Sequence, residues 1–313
     1  MNIAGTKKKF AQGEITKAEY ISAMSEIHDV LFDYRANLKD TEIAKIEIAD
    51  NSVIMVSRQT KYHNGGLKFY CDKRDNRTVT LEAFNFGTYE AEDSEMIYKL
   101  LTPKDVVFDI GANIGWYCNH IAAMQTTGKV YCFEPIPETF EKLSKNVALN
   151  GSNNIILNNI AFSEKEQQLS FFYSPSQTGA SSSRNITEQK DIVKLECASK
   201  TIDGFVKEQG IDQLDFIKCD VEGAELFVYQ GALETLKKYK PVVFTEMLRK
   251  WAAKFGYHPN DIIAIFTELG YECFYVAHEK LVKINEITDD TVQTNFFLLH
   301  TEKHKNKILT CSL

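Results

Sequence analysis

The cysteines of this chain form no framework. All seven, at positions 71, 118, 132, 197, 219, 273 and 311, stand outside any C-x-x-C pair, and several lie inside apolar, strand-like runs. That spacing argues against a zinc site or a disulfide scaffold and for buried, reduced thiols. Long hydrophobic runs are missing too. No stretch approaches the roughly 20 apolar residues that cross a bilayer, and no apolar segment follows Lys7-Lys8-Lys9 as a secretory signal requires. We therefore expect no stable membrane insertion and a cytoplasmic location. An excess of positive charge is also absent. With 36 Lys and Arg against 43 Asp and Glu the net charge is −7, which leaves no general electrostatic ground for a nucleic-acid partner. The three lysines read as a solvated terminus. What remains is an ordinary globular composition, 44% hydrophobic over 313 residues, enough for one large domain or a domain with an appendage.

The stretch that organises the chain is Val106-Val107-Phe108-Asp109-Ile110-Gly111-Ala112-Asn113-Ile114-Gly115. A short apolar run ends in an acid, two glycines follow, and a helical pattern then puts Ile114, Tyr117 or Cys118, Ile121 and Met124 on one face. This predicts a strand, a tight loop and a helix. Glycine removes the side chains that keep a ligand off the backbone, and a helix N-terminus offers unpaired N–H groups. A ligand is expected at the carboxyl end of this strand. Two further absences narrow it. The loop has no Gly-Lys-Ser/Thr ending, hence no lysine for a nucleoside triphosphate, and Asn113 stands where a middle glycine would admit a pyrophosphate. A second apolar run, Val130-Tyr131-Cys132-Phe133, ends in Glu134-Pro135, and a carboxylate there can accept from both ribose hydroxyls. A nucleoside without pyrophosphate fits this pair of sites. S-adenosylmethionine is the common cofactor of that description.

Three runs in order, Phe108 to Gly115 as above, then Phe133-Glu134-Pro135-Ile136-Pro137, then Phe216-Ile217-Lys218-Cys219-Asp220-Val221-Glu222-Gly223-Ala224-Glu225, resemble the FkbM-type methyltransferase family. The likeness covers roughly residues 89–276, and three ordered motifs are far more specific than one glycine loop. It implies an α/β, class I (Rossmann-like) methyltransferase fold with a seven-stranded, mainly parallel sheet and an antiparallel last strand. It also implies an S-adenosylmethionine-dependent O-methyltransferase acting on a hydroxyl, often of a sugar or a polyketide. By the same resemblance the helix predicted over 89–101 lies over the cofactor, which makes Glu90 a candidate for the methionine end. An acid complementing the helix dipole is the rival reading for Glu90. Asp109 and the loop of Gly111, Ala112, Asn113 and Gly115 then hold the methionine part. Glu134 and Pro135 take the ribose, and Ala161 and Phe162 the adenine, with plain core filling an equal alternative for Phe162.

Residues 1–88 are expected to form an accessory helix and a small antiparallel β region, and 89–313 the methyltransferase domain. A helix over 14–38 carries Ile15, Ala18, Ile21, Ile27, Val30, Leu31 and Tyr34 near helical spacing, which permits a homo-oligomer through it. A hairpin around 49–52 and strands at 67–71 and 79–84 follow. Pro137 fits the first turn of a helix that Asn150-Gly151 ends. A third strand spans 155–161, and the pair 169–173 and 192–197 encloses a small, polar segment, 174–184, read as a lid over a polar acceptor such as a sugar, with a merely solvated loop as the alternative. Thr201 can cap a short helix that Gly210 terminates. Late strands at 271–276, 281–284 and 295–300 agree with a reversed final strand, and the charged tail 302–307 is expected to fray.

The fourth strand, 214–219, leads into Asp220, and the fifth, 241–245, into Glu246. Neighbouring parallel strands lie about 4.8 Å apart, so the two carboxylates can meet. They are candidate catalytic residues, with one as general base, or candidate ligands of a divalent metal, and Asp220 is also a candidate cofactor contact beside the transferring methyl group. An acid of the Glu222-Gly223-Ala224-Glu225 segment capping the next helix is the bland alternative. His258, before a helix over 259–269, is a further base candidate, although a lone loop histidine is more often structural. The expected partner is a small-molecule or glycan acceptor. Two other classes stay open. An NAD(P)-dependent oxidoreductase also uses a glycine loop and a strand-two acid, but the missing middle glycine and Glu-Gly-Ala-Glu argue against it. A non-catalytic nucleoside-binding module keeps the pocket without turnover.

Overall fold

The computed structural model describes residues 2–63, 65–124, 128–176, 178–184 and 192–313. The chain opens on a helical hairpin, α1 (Ile3–Ala11) and α2 (Lys17–Leu38), in which Phe10 stacks on Tyr20 at 4.5 Å. Thr16 and Glu19 close a capping box at the start of α2. The helix α1 was not anticipated, and the three lysines sit exposed on it. No residue of α2 is fully buried, and Ile21, Leu31 and Phe32 are exposed. Next come β1 (Ile43–Ala49), β2 (Ser52–Ser57) and β3 (Lys68–Tyr70), an antiparallel sheet in that order. The strand expected over 79–84 is instead a helix, α3 (Val79–Phe86). Burial explains the difference. Thr80, Ala83 and Phe84 are the buried residues of this segment, and that spacing of three and four shares a face only in a helix, which outweighs a mild strand preference.

Then follow α4 (Ala91–Leu100), β4 (Val107–Ile110), α5 (Trp116–Met124), β5 (Val130–Phe133), α6 (Pro137–Asn150) and β6 (Ile155–Asn158). After them come β7 (Ala161–Phe162), β8 (Gln167–Tyr173), β9 (Val193–Lys200), α7 (Ile202–Glu208), β10 (Phe216–Cys219), α8 (Glu225–Gln230), α9 (Leu233–Tyr239) and β11 (Val242–Glu246). The chain closes with α10 (Arg249–Phe255), α11 (Pro259–Glu268), β12 (Tyr271–Ala277), β13 (Lys280–Ile284), β14 (Asn295–His300) and α12 (Lys305–Cys311). The main sheet runs β13-β12-β14-β11-β10-β4-β5-β6. Strands β6, β5, β4, β10 and β11 are parallel to their neighbours in that series, and β14 is antiparallel to both β11 and β12. This is the expected α/β Rossmann-like architecture with a reversed last strand. The eighth strand, β13, pairs back on β12 through His278 and Glu279, both at positive φ, 52° and 59°. Two such residues make the turn that suits a tight hairpin.

Alternation along the strands divides the core. Val107, Phe216, Val242 and Phe297 face one side, while Phe108, Ile217, Val243 and Phe296 face the other. The first side also takes in Ile43, Met55, Phe69, Ala83 and Phe84, so residues on both sides of position 88 share one core. Asn146 and Asn150 of α6 reinforce it by accepting the backbone N–H groups of Tyr70 and Lys68.

Two more expectations change. The third strand stops at Asn158, and Ala161–Phe162 leaves the main sheet to pair with β9 in a separate sheet of order β7-β9-β8. The tail does not fray, since α12 forms there, His304 is buried, and Lys307 donates to the carbonyl of Leu100 at 2.5 Å. All seven cysteines are free and five are buried. Among the described residues no helix is long and apolar enough to cross a membrane.

Candidate active site

A cleft of about 560 Å³ opens at the carboxyl ends of β4, β5, β10 and β11, the place where open α/β sheets bind ligands. Its floor is the loop after β4. There Gly111 has φ of 76°, and a Cβ on it would stand 1.8 Å from the carbonyl oxygen of Asp220, so only glycine lets β4 and β10 meet this closely. The N–H groups of Gly111 and Ala112 both donate to the carbonyl of Phe133 at 3.0 Å, and that of Gly115 donates to Ala112. Asn113, at φ 48°, donates its N–H to Glu134 at 3.1 Å. The loop's amides are thus engaged within the protein, and the sequence-based picture of free N–H groups awaiting a ligand does not hold for these four residues.

Glu134 is buried at the tip of β5, and its other carboxylate oxygen accepts from the N–H of Ile136 at 2.9 Å. Burial pushes its carboxyl up to about 7, against the two amides that favour the ionised form. Each oxygen has a lone pair left. Ala161 and Phe162 also line the cleft, but Phe162 is only 4% exposed and its ring packs 4.5 Å from Phe133 and 5.7 Å from Phe205. Core filling is therefore part of its work.

The opposite wall is acidic: Glu90, Asp220, Glu222 and Glu246 all line the cleft. Glu90 precedes α4 in the left-handed region without capping it, and its carboxylate accepts from the Tyr117 hydroxyl at 2.5 Å and the Asn295 amide at 2.9 Å. Burial raises its carboxyl above the usual range. The Asn295 amide reaches Asp93 as well, which burial lifts to about 6. Burial and the charge of Asp220 push Glu222 and Glu246 well above ordinary carboxyls. Glu225 has a different task. It accepts the N–H groups of Val221 and Gly223 at 3.0 and 3.2 Å, knotting the turn, and burial lifts it to about 7. Carboxylate oxygens of Asp220, Glu225 and Glu246 lie within 4.8 Å of one another, so the expected approach of Asp220 to Glu246 occurs.

Three residues assigned to the site lie elsewhere. Asp109 is fully buried beneath the loop and does not line the cleft; it meets Lys218, its partner across β4 and β10, at 3.5 Å. Gly115 is a packing position, where a Cβ would come 2.6 Å from Leu143. His258 is also outside the cleft lining. It caps α11, accepting from the N–H of Asn260 at 3.2 Å. Tyr117 and Lys218 are among the cleft residues that had no site role in the sequence reading. The signal for Lys218 was a lysine inside the apolar run Phe216-Ile217-Lys218-Cys219.

The segment 174–184, apart from Gln177, which lies outside the described residues, covers the cleft mouth with Thr178, Gly179, Ser181, Ser183 and Arg184. Ser182 donates to the carbonyl of Glu222 at 2.8 Å, and Thr178 to Asp75. Beyond Asp220 the lining continues with Phe227, Lys250, Trp251 and Phe255.

The chain is similar to several known proteins. Over 166 residues the chain is 27% identical to a hexuronic acid methyltransferase of Haloferax volcanii, covering 52% of this chain and 62% of that protein. It is 25% identical over 165 residues to a 2-O-methyltransferase of Sinorhizobium fredii, covering 49% and 67%. A crystal structure of an FkbM methyltransferase from Methylobacillus flagellatus aligns at 15% identity and TM-score 0.41, covering 73% of this chain and 55% of that one. Residues 109–273, more than half of the chain and inclusive of the glycine loop, Glu134 and the 220–225 turn, match the methyltransferase FkbM domain, and the chain belongs to the FkbM methyltransferase family.

Proposed function

We propose that the cleft binds S-adenosylmethionine and that the protein transfers its methyl group to a hydroxyl, with a sugar or glycan intermediate as acceptor. The observation that carries this reading is the pairing of a loop whose amides are engaged internally with a wall of four acids. At that loop and wall a pyrophosphate would meet engaged amides and several negative charges, which argues against a nicotinamide dinucleotide there; the cations Arg77, Arg184 and Lys250 also line the cleft. A nucleoside bearing a sulfonium and an ammonium suits the same surroundings. The family supports methyl transfer. The names of two relatives, a hexuronic acid methyltransferase and a 2-O-methyltransferase, support an oxygen acceptor and a sugar.

In this reading Glu134 receives the ribose hydroxyls on its remaining lone pairs, Ala161 and Phe162 border the base, and Glu90 with the Gly111–Asn113 loop meets the methionine end. The bound cofactor supplies an electrophilic methyl group. What the protein adds is position, holding the acceptor oxygen in line with that methyl while Asp220 and Glu246 face the hydroxyl. A desolvated carboxylate such as Glu246, with its proton affinity raised, would be suited to take the hydroxyl proton as the O–C bond formed and the methyl–sulfur bond broke. Trp251 and Phe255 offer apolar faces on the acceptor side. Asp220 and Glu246 can also ligate a divalent cation, Glu225 being engaged by backbone amides. Loss of activity on chelation, restored by Mg²⁺, would add that cation to the mechanism.

The test is transfer of labelled methyl from S-adenosylmethionine to hexuronic acids and their glycosides, with Asp220→Asn beside the wild type. Alkali-stable label in the sugar, lost in the variant while S-adenosylhomocysteine still binds, is the expected result. Alkali-labile label would mean a carboxyl ester instead. Cofactor binding without transfer to any acceptor would favour a binding module.

A further inference from the structure

One buried cation has no part in the scheme above. Lys218 lies in the middle of β10 at 3% exposure, in a strand otherwise apolar. An ammonium so placed is tolerated only when paired and hydrogen-bonded. It donates one hydrogen bond, to the carbonyl of Gly111 at 2.9 Å, and is paired by charge with the carboxylates of Asp109 and Asp220, each at 3.5 Å. The Tyr117 ring centroid lies 5.7 Å away. These groups join the cleft to the core beneath it. Gly111 belongs to the loop that floors the cleft, Asp109 is buried below that loop outside the cleft lining, and Asp220 stands on the acidic wall.

We propose that Lys218 is a positioning residue of the cofactor cleft, its ammonium fastening the Gly111 carbonyl to Asp109 and Asp220 and so fixing both the course of the loop and the charge of the acids around it. The inference rests on the reading of the cleft as an S-adenosylmethionine site. Three observations support it. Neither carboxylate oxygen of buried Asp109 has a hydrogen-bond partner among the described residues, so Lys218 is the cation that compensates it. The contact between loop and β10 is too close for any Cβ at Gly111, so a small shift at this point moves the loop as a whole. Finally, the same ammonium favours the ionised form of Glu90 and Glu134 against their burial. The titratable groups that feel it are Asp109 from β4, Cys132 and Glu134 on the β5 side, Tyr117 from α5, Glu90 before α4, and Cys219, Asp220 and Glu222 along its own strand and turn.

The experiment compares wild type, Lys218→Met and Lys218→Arg in two measurements. S-adenosylhomocysteine affinity is followed by calorimetry across pH, and the carboxyl titrations of the ligand-free proteins are followed by ¹³C NMR. In Lys218→Met we expect an affinity loss of about tenfold or more near neutral pH, the equivalent of one pK unit, recovering as pH rises because acids without the cation ionise later. Lys218→Arg should restore most of the wild-type profile. Should Asp109, left alone, prevent Lys218→Met from folding, the double variant Lys218→Met/Asp109→Asn removes that charge, and the Glu90 and Glu134 midpoints should still rise. Midpoints unchanged in the methionine variants, or a loss of affinity uniform over pH, overturn the proposal. If the wild type binds no S-adenosylhomocysteine while the midpoints move as expected, the cofactor reading fails and the role of Lys218 in setting the acids' charge stands.

Discussion

At Gly111 the margin is narrower than an atom. A methyl group there would overlap the Asp220 carbonyl, and φ is 76°. Gly111→Ala should lower stability by about 2–4 kcal/mol through strain and displacement and abolish S-adenosylhomocysteine binding, as thermal melts and calorimetry would show. If binding is retained, the loop is softer than this geometry implies. Glu134 makes a milder case. Its oxygens are oriented by two amides before any ligand arrives, so Glu134→Ala removes prearranged acceptors and should weaken S-adenosylhomocysteine by about 1–3 kcal/mol. Because burial places its carboxyl at about 7, affinity should also fall as pH drops below neutrality and the carboxylate is protonated. That slope should vanish in the alanine variant.

Between single residues and the sheet stands the turn of residues 220–225. Glu225 ties the N–H groups of Val221 and Gly223, and Glu222 is left at the apex with φ of 55°. Glu225→Ala leaves two donors without their acceptor and should cost about 2–5 kcal/mol, visible in denaturant unfolding. The 174–184 segment touches this turn through Ser182. If that segment closes over the acceptor, Ser182→Ala should raise KM for the acceptor several-fold and leave S-adenosylhomocysteine affinity unchanged; equal losses in both would assign the bond to the fold alone. The element least legible from sequence was α3, because valine, threonine and leucine at its start read as a strand until Thr80, Ala83 and Phe84 find the core together.

Over the whole molecule the N-terminal region and the methyltransferase sheet fold on shared side chains. Phe69 packs 5.0 Å from Trp116 and 5.9 Å from His120. A fragment beginning at residue 89 should therefore expose Trp116 and its neighbours and lose cooperative melting. A sharp transition in that fragment would show that the catalytic half has a sufficient core of its own. Charge acts at this scale as well. Glu134 and Glu225 carry folded-state values near 7 against an ordinary 4.5, so between those limits the folded protein holds more protons than the unfolded chain. Their contribution is fully present below the unfolded value and is lost as pH rises through about 7. Buried histidines such as His120 and His304, whose values burial lowers, act in the opposite direction below about pH 6.5, so the test is a difference: the melting temperature of ligand-free wild type relative to Glu134→Gln should fall from about pH 5.5 to about pH 8.

The strands that lead into the glycine turn and into the acids at the tips of β5, β10 and β11, and the caps at Pro137, Gly151 and Thr201, were determined by the sequence alone. Each depends on the period and chemistry of a few adjacent residues, and those survive in one dimension. Where Asp109 points, why Gly115 must be small, what His258 caps and where Ala161 pairs were decided by the tertiary structure. The clearest instance is Lys218, which donates to a carbonyl 107 positions away in the chain. Strand pairing alone brings those two atoms together, and at this depth the cost of an unpaired charge makes their meeting a requirement of the fold.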